Sequence, residues 1–510
     1  MEFALTSSDS RGTASPAAAR LWRVIPWLLV AALVALSAWL LVVPIEALFV
    51  RIPVNYDEGW NAFHAQRLMS GGPLYPPVAS GITINYPPLS FYVVGALGKL
   101  IGDYVFAGRL LALISQAVVA INVAMIAKRL GTSGVFSVFA AIAFVLFIQI
   151  YFSDYVAMDD PQWFGHALQT SALALLVRDD ISSSRRRLMA VVLLLLIGGL
   201  AKHSLVSLPI AATLWIGFEH RRLLFTWMSY CAAGLLTVTL GFYAAYGWSF
   251  FDQVLANPRN FTGLTLLWMT ENIGPRLLPF ALFAFGGFFL AKSSPQVRLM
   301  GIYAVVSLLL ATVLMSARGV IYNALFDFTI AAMPLAALLG QQAEQRLASR
   351  PWGRSALSLA LAFPLLSVIP HAQEHYGGEI DRLAHQAQWQ QLIDTIARAP
   401  APLICQQLSL CYWAGRESSI ETFNFAQRAV HDPALAELLA RRISRGDFSL
   451  IQEDELAFDP GLALPKQDND AIETAYRVVS TDPAVLLVPA ARPAPKPTEG
   501  RPPATSLLRF

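Results

Sequence analysis

The sequence predicts a polytopic α-helical membrane protein with a small soluble α/β domain near its C-terminus. Of its 510 residues, 55% are hydrophobic and only 14% are charged, and the mean hydropathy is +0.51. Soluble domains average about 45–50% apolar and about 25% charged residues, so these charges are too few to cover a soluble protein of this length. The 32 Gly, 31 Pro and 3 Cys exclude collagen-like, disordered and disulfide-scaffold classes, and the net charge of +3 is too small to indicate nucleic-acid binding.

The first apolar run, residues 24–43, predicts a retained membrane span. A bilayer core needs about 20 apolar helical residues, whereas the apolar region of a signal peptide has about 7–15. The run is followed by Pro44-Ile45-Glu46, which is no small-residue cleavage site, so residues 1–23 are expected to form a cytoplasmic N-terminus. Further runs bring the total to about eleven spans; they lie near 104–127, 133–152, 161–177, 188–202, 204–218, 223–246, 276–291, 299–316, 320–340 and 355–371.

Basic residues support this topology, because cytoplasmic loops carry an excess of Lys and Arg. With the N-terminus inside, every predicted inner loop is basic: Lys128 and Arg129; Arg178 with Arg185, Arg186 and Arg187; Arg221 and Arg222; Lys292 and Arg298; and Arg346, Arg350 and Arg354. The predicted transmembrane part is therefore 24–371, in a bacterial inner membrane. An odd number of spans places the remainder of the chain in the periplasm.

Residues 372–489 are predicted to form a periplasmic α/β domain. Residues 380–398 have apolar positions at helical spacing, and 402–405 and 448–451 have the composition of short strands. Residues 490–510 are rich in Pro and are expected to form an extended or disordered tail.

The cysteines depend on this topology for their interpretation. Cys405 and Cys411 would lie in an oxidising compartment, where a disulfide and two unpaired thiols are both open alternatives. Cys231 is expected to be a core residue of a span.

The first outer loop, residues 44–103, is long, and long loops tend to be functional. One helix is predicted from Asp57 to Met69, before Gly71-Gly72. A second is predicted after Pro88, and its apolar stretch Leu89–Ile101 is too short to cross a membrane. Both are therefore expected to lie in the membrane interface, over the outer leaflet.

Polar side chains gather on the same predicted face. The second outer loop holds Asp154, Asp159 and Asp160 beside an apolar span, where carboxylates are costly unless they are solvated, paired or bound to something. Later outer loops add Lys202, Arg276, Arg318 and Tyr322. Acids and cations that are distant in sequence would thus meet at the outer surface, which suits a reaction on an anionic, lipid-bound substrate.

Four motifs carry a resemblance to a known family: Asp57-Glu58 after the first span, Pro87-Pro88-Leu89 before the second interfacial helix, Asp159-x-Pro161 at the fourth span, and Gly199-Leu-Ala-Lys202 before the sixth. In this order and spacing, over about residues 24–340, they resemble the GT-C superfamily of membrane glycosyltransferases. The likeness is to the branch that contains protein O-mannosyltransferases, aminoarabinose transferases acting on lipid A and bacterial galacturonosyl transferases.

The resemblance implies an inverting hexosyl- or pentosyltransferase that takes its sugar from a polyprenyl-phosphate donor and passes it to a lipid, glycan or protein of the envelope. Asp57 then matches the general base, Asp159 would place the acceptor or a metal ion, and Lys202 would meet the donor phosphate. The implied substrate-binding residues are Glu58, Tyr86, Lys202, Arg276, Arg318 and Tyr322. Members acting on lipid A tend to have Glu-Lys before the Pro-Pro step, where this chain has Asn85-Tyr86. Lipid A as acceptor and a metal ligand at that position are therefore in doubt, and a divalent metal ion stays an open question.

The chemistry stands beside the resemblance. Displacing a phosphate from a sugar carbon passes through an oxocarbenium-like state, and it needs a carboxylate for the acceptor's proton and positive charge for the leaving phosphate. The sequence contains no evident nucleotide-binding fingerprint, which agrees with a lipid-carried sugar.

Simpler roles remain open for each residue. Asp57 and Asp159 could cap their helices, Lys202 could snorkel to the interface, and Asp327 could be a hydrogen-bonded structural residue. His64, His166 and His203 lack metal-ligand spacing, so structural roles are favoured. The rival functions are a secondary transporter and a non-catalytic membrane scaffold whose outer domain binds a partner. The charges at span ends and the lack of a clear repeat between the halves disfavour the transporter.

Overall fold

The computed structural model describes residues 16–178, 181, 184–317, 319–347, 351–366, 369–453 and 464–490. Up to residue 254, the helices are α1 (Pro16–Leu40), α2 (Val42–Ala47), α3 (Tyr56–Met69), α4 (Leu89–Ile101), α5 (Tyr104–Arg129), α6 (Gly134–Tyr151), α7 (Pro161–Leu176), α8 (Arg185–Ala201), α9 (Ser207–Glu219), α10 (Arg221–Tyr246) and α11 (Trp248–Val254). The later helices are α12 (Gly263–Ala291), α13 (Pro295–Leu314), α14 (Phe326–Arg346), α15 (Pro351–Leu366), α16 (Ile369–Ala384), α17 (Gln386–Arg398), α18 (Leu408–Trp413), α19 (Thr422–His431), α20 (Pro433–Ser444) and α21 (Lys466–Ala475). The strands are β1 (Ile404–Cys405), β2 (Ile451–Glu453), β3 (Tyr476–Ser480) and β4 (Val485–Pro489).

Helices of membrane-spanning length and composition confirm a multi-pass membrane protein. Within the described residues, 7 are long and apolar enough to cross a bilayer: Val24–Ala47, Tyr104–Arg129, Gly134–Tyr151, Arg221–Tyr246, Gly263–Ala291, Pro295–Leu314 and Tyr322–Arg346. The other predicted spans correspond to α7, α8, α9 and α15, which have 16, 17, 13 and 16 residues. These helices are short for an upright crossing, so the total of about eleven spans stays a prediction.

The first outer loop contains the two predicted helices. The side chain of Asn55 accepts a hydrogen bond from the Asp57 backbone N–H at 3.2 Å and so caps α3. Asp57 and Glu58 occupy the first turn, where the helix dipole favours negative charge. Helix α4 follows Pro88 and ends at Gly102, whose φ of 96° suits a residue without a Cβ.

The cap of α7 lies one residue later than the sequence suggested. Asp160, not Asp159, caps this helix: its carboxylate accepts a hydrogen bond from the Gln162 N–H at 2.6 Å, and Pro161 is the first helical residue. The two adjacent carboxylates therefore point into different surroundings.

The C-terminal part contains a four-stranded mixed sheet with the strand order β1-β2-β4-β3. β1 pairs with β2 in parallel, and β4 pairs antiparallel with both β2 and β3. The helix expected over 380–398 is divided at His385 between α16 and α17, and the predicted strands near 404 and 451 are present. Residues 491–510 of the expected tail lie outside the described residues.

Of the two alternatives for the C-terminal cysteines, the structure has the disulfide, between Cys405 and Cys411. Helix α18, which contains Cys411, packs on α3 of the first loop. This approach requires Gly59, because a Cβ there would lie 2.3 Å from the backbone nitrogen of Ser409. The C-terminal part therefore sits directly against the helix that carries Asp57.

Candidate active site

A cavity of about 200 Å³ lies where the first loop, the ends of several helices and the C-terminal part meet. It is lined by Tyr56, Asp57, Trp60, Asn85, Tyr86, Tyr155, Gln162, Lys202, His203, Ser204, Arg259, Phe261, Leu314, Ala317, Gly319, Val320, Asn323, Ala324 and Phe423. Three predicted site residues, Asp57, Tyr86 and Lys202, are among them. Segments more than 300 residues apart in sequence thus share one wall.

Helix α3 presents Asp57 to this cavity. Its first turn places Tyr56, Asp57 and Trp60 along the wall, and Asp57 is half-buried. Tyr86 of the first loop also lines the cavity, with its ring edge-on to Trp60 at a centroid separation of 5.0 Å. Burial raises the pKa of Tyr86 to about 12, so its hydroxyl is a neutral donor or acceptor at ordinary pH.

Lys202 is held inside the wall by hydrogen bonds. Its Nζ lies 3.1 Å from both carboxylate oxygens of Asp160 and 2.9 Å from Oε1 of Gln162, and it stands 5.0 Å from the centre of the Tyr86 ring. The side chain is buried, so it does not snorkel to the interface as the alternative reading allowed. The positive charge of Lys202 is therefore largely balanced by the Asp160 carboxylate.

Arg259, on the segment between α11 and α12, is the second cation at the cavity. Its guanidinium lies 5.4 Å from the centre of the Phe423 ring. Its Nη1 is buried and has no hydrogen-bond acceptor among the described residues. Burial lowers the pKa of Arg259, while Tyr86, Asp57 and Glu421 raise it. A half-buried guanidinium whose buried N–H is unsatisfied is suited to an anionic ligand.

His203 also lines the cavity, beside both cations. Burial and the nearby charges of Arg259 and Lys202 together lower its pKa to about 4, so the imidazole is neutral near pH 7. Its Nδ1 is buried and makes no hydrogen bond within the described part of the chain. The ring can therefore donate or accept one hydrogen bond without adding charge.

Glu58 does not reach the cavity. Its carboxylate pairs with the Arg109 guanidinium through contacts of 2.7 and 2.8 Å, and it accepts the Val54 N–H at 2.7 Å. Arg109 also donates to the carbonyls of Ala47, Val50 and Ile52. Both side chains are buried, so this ion pair anchors the start of α3 to α5 instead of contacting a substrate.

Asp159 is buried behind the cavity wall. It faces Gly108 of α5, where a Cβ would lie 1.9 Å from the Asp159 Cγ. Burial raises the pKa of Asp159 well above its ordinary value, and the nearby Glu58 and Asp160 raise it further. The structure therefore gives this predicted catalytic residue no access to the cavity.

The remaining predicted residues lie elsewhere. Arg276 of α12 lies over the Tyr151 ring at 5.6 Å, and Tyr322 stacks on Trp268 at 6.2 Å. Neither lines the cavity. Arg318 lies outside the described residues, next to Ala317 and Gly319, which line the cavity.

Asp327 has the structural role that the sequence allowed. The Tyr303 hydroxyl donates to its Oδ1 at 2.5 Å, and the His166 Nδ1 lies 3.6 Å away. His166 in turn contacts Gln162, whose side chain lines the cavity. A buried polar chain thus supports the cavity from inside the helical bundle.

Comparison with solved structures identifies the fold. The chain is similar to ArnT from Cupriavidus metallidurans in the apo state, with a TM-score of 0.58 and 16% identity over 90% of this chain and 97% of that chain. ArnT bound to undecaprenyl phosphate gives a TM-score of 0.57 and 16% identity, over 91% and 98%. AglB from Archaeoglobus fulgidus, in complex with an inhibitory peptide and a dolichol-phosphate, gives a TM-score of 0.50 and 12% identity, over 89% and 72%.

ArnT and AglB are both members of the GT-C superfamily. The chain has the GT-C fold. The resemblance drawn from the sequence motifs is thereby confirmed at the level of the fold. No protein-family model and no curated protein sequence matches the chain.

Within this GT-C fold, sequence reasoning placed Arg259 in an outer loop but did not include Arg259 or Phe423 among the site residues. Both lie in segments without a recognisable motif, and only the tertiary fold brings them to α3. No group of at least three His, Cys, Asp or Glu side chains that could hold a metal ion is found in the described ranges. Glu58 is engaged by Arg109, so Asp57 and Glu58 do not act as a paired carboxylate site.

Proposed function

We propose that this protein is an inverting glycosyltransferase that moves a sugar from a polyprenyl-phosphate donor to an acceptor of the bacterial envelope. The observation that carries the proposal is the cavity itself. Within a GT-C fold, the Asp57 carboxylate and the Arg259 and Lys202 cations all line this one cavity. The lipid phosphates bound by ArnT and AglB support the donor class.

Each residue has a defined part in this reaction. The acceptor hydroxyl attacks the anomeric carbon, and Asp57 takes its proton as general base. The bond between that carbon and the phosphate oxygen breaks, and its electron pair stays on the phosphate, which Arg259 contacts through its unsatisfied N–H. Lys202 adds positive potential from inside the wall, and Tyr86 and His203 offer neutral hydrogen bonds to the sugar.

The proposed location is the bacterial inner membrane, with a cytoplasmic N-terminus and the cavity on the periplasmic face. The alternation of basic loops supports this orientation. The Cys405–Cys411 disulfide adds support, because disulfides persist in oxidising compartments such as the periplasm. In this arrangement residues 372–489 form a periplasmic domain, and α3 and α4 lie in the outer interface.

The test is transfer from a radiolabelled polyprenyl-phosphate sugar by the purified protein in nanodiscs. Asp57→Asn should lower turnover by about 10²–10⁴-fold, which is the usual contribution of general-base catalysis. The matched control is Asp381→Asn, since the Asp381 side chain is 77% exposed on α16. Full turnover by Asp57→Asn would remove it as the base, and substrate uptake into vesicles without transfer would favour a transporter.

A further inference from the structure

A short hydrogen bond joins the residue before the candidate base to the C-terminal part of the chain. The Tyr56 hydroxyl donates to Oε1 of Glu421 at 2.5 Å, although the two residues are 365 positions apart. Both side chains are buried. Tyr56 immediately precedes Asp57 in the first turn of α3, so this bond acts on the backbone that carries the candidate base.

Glu421 also determines where α19 begins. Its carboxylate accepts the backbone N–H groups of Phe423 at 2.9 Å and of Asn424 at 3.0 Å, as the N-cap of that helix. Phe423, two residues later, lines the cavity beneath the Arg259 guanidinium. One carboxylate thus contacts both the first turn of α3, which carries Asp57, and the first turn of α19, which carries Phe423.

The surrounding contacts hold this junction in one register. The Glu421 N–H donates to the Gly81 carbonyl at 2.9 Å, and the Asn424 amide donates to Thr83 at 3.4 Å. The Phe423 ring occupies the space beside Gly319, where a Cβ would lie 2.3 Å from the ring. Displacement of α19 would therefore move the cavity wall as well as the Tyr56 contact.

We propose that Glu421 is a positioning residue: by accepting the Tyr56 hydroxyl while capping α19, it holds the first turn of α3, which carries Asp57, against the start of α19, which carries Phe423. The C-terminal part thereby completes the active site. This inference rests on the proposed function, in which Asp57 is the base and the sugar occupies the cavity.

The environment of Glu421 supplies a distinguishing signature. Burial raises its pKa more than the hydrogen bonds from Tyr56, Asn424 and Phe423 lower it, and the net pKa is about 7. The charged or titratable groups that face it are Tyr56 of α3 and Arg259, and residues 81–85 carry no charged side chain. Below pH 7 Glu421 becomes protonated and is a weaker acceptor, so turnover should fall as the pH decreases through about 7.

A double-mutant cycle of Tyr56→Phe and Glu421→Ala tests the proposal in the full-length protein in nanodiscs. Each single variant should lower kcat by about 10-fold with little change in the KM for the donor, and the double variant should be no worse than the poorer single variant. Glu421→Gln keeps an acceptor oxygen without a titrating proton. Because Gln resembles the neutral, protonated Glu421, its turnover should equal that of the wild type below pH 7 and should lose the pH dependence near pH 7.

Tyr412→Phe is the matched control, because the Tyr412 hydroxyl accepts the Tyr104 N–H at 2.8 Å and so joins the C-terminal part to the start of α5, outside the cavity. Hydrogen exchange of residues 56–63 provides a readout independent of turnover: it should accelerate in Tyr56→Phe and Glu421→Ala but not in Tyr412→Phe.

Several outcomes would overturn the positioning role. These are additive single effects, an unchanged pH profile in Glu421→Gln, or a loss equal to that of Tyr412→Phe. Failure of the proposed function is separately visible, since the wild type would then show no transfer, or Asp57→Asn would retain it, whatever the hydrogen exchange shows.

Discussion

The two cations at the cavity, Lys202 and Arg259, differ in how their N–H groups are satisfied. Lys202 has three hydrogen-bond contacts at 2.9–3.1 Å to Asp160 and Gln162, both of which lie at the start of α7. Arg259 lies over an aromatic ring, and its buried Nη1 has no acceptor among the described residues. The first arrangement compensates the charge internally, whereas the second leaves a donor that an anionic ligand can satisfy.

This difference separates scaffold from binding site within one cavity. A buried ion pair is expensive to break, because the remaining partner becomes an uncompensated buried charge. A cation with an open donor loses little folding free energy when it is removed, but it loses a contact to the ligand. Substitution of Lys202 should therefore lower stability more than turnover, and substitution of Arg259 should lower turnover more than stability.

The largest effect is expected from Lys202→Met. The substitution leaves Asp160 as an unpaired buried carboxylate, so the free energy of unfolding should fall by about 3–5 kcal/mol. Thermal unfolding in detergent measures this, with the exposed Lys99→Met as control. Combining it with Asp160→Asn should restore part of the stability, since both charges are then absent. A stable Lys202→Met protein with a raised KM for the donor would instead support the direct phosphate contact implied by the sequence resemblance.

Arg259→Ala should show the reverse pattern. Loss of one donor to the leaving phosphate should lower turnover by about 10²-fold, in the range seen when a single anion-stabilising donor is removed. The unfolding temperature should change little, because Arg259 is only half-buried and forms no internal ion pair in the described structure. Arg259→Lys should be intermediate, and Arg441→Ala, which removes an exposed guanidinium on α20, should have no effect. Equal losses of stability for Arg259→Ala and Lys202→Met would contradict the distinction between a structural role of Lys202 and a ligand-binding role of Arg259.

The sequence was sufficient for the features that depend on local pattern. Apolar runs located the long helices, and the Gly and Pro positions around residues 57–101 located α3 and α4. The order and spacing of the motifs identified the fold. Asp57, Tyr86 and Lys202, which the sequence predicted as site residues, line one cavity in the structure. Such features follow from hydropathy, helix caps and breakers, which are read over short windows.

Contacts between side chains that are distant in sequence could not be predicted from such short windows. The partner of Glu58 is Arg109, 51 residues later, and the partner of Tyr56 is Glu421. Nothing in either segment specifies the other, since each contact depends on how the helices pack. One signal was available but unused: a residue directly before an initial helical Pro is the natural cap, which favours Asp160 over Asp159 as the cap of α7.

The smallest effect is expected from Asp159→Asn, on the residue that the sequence resemblance made catalytic. Burial, together with Glu58 and Asp160, raises the pKa of Asp159 well above its ordinary value, which favours the neutral acid. Asn reproduces the shape and neutrality of that acid against Gly108, and turnover should stay within about 2-fold of the wild type. Gly108→Ala offers the contrasting perturbation, because its Cβ would displace Asp159 and the α7 start with it. If Asp159→Asn folds normally yet loses more than about 10-fold in turnover, the carboxylate must ionise or move during the reaction. The residues around Lys202 would then take part in the reaction as well as support the structure.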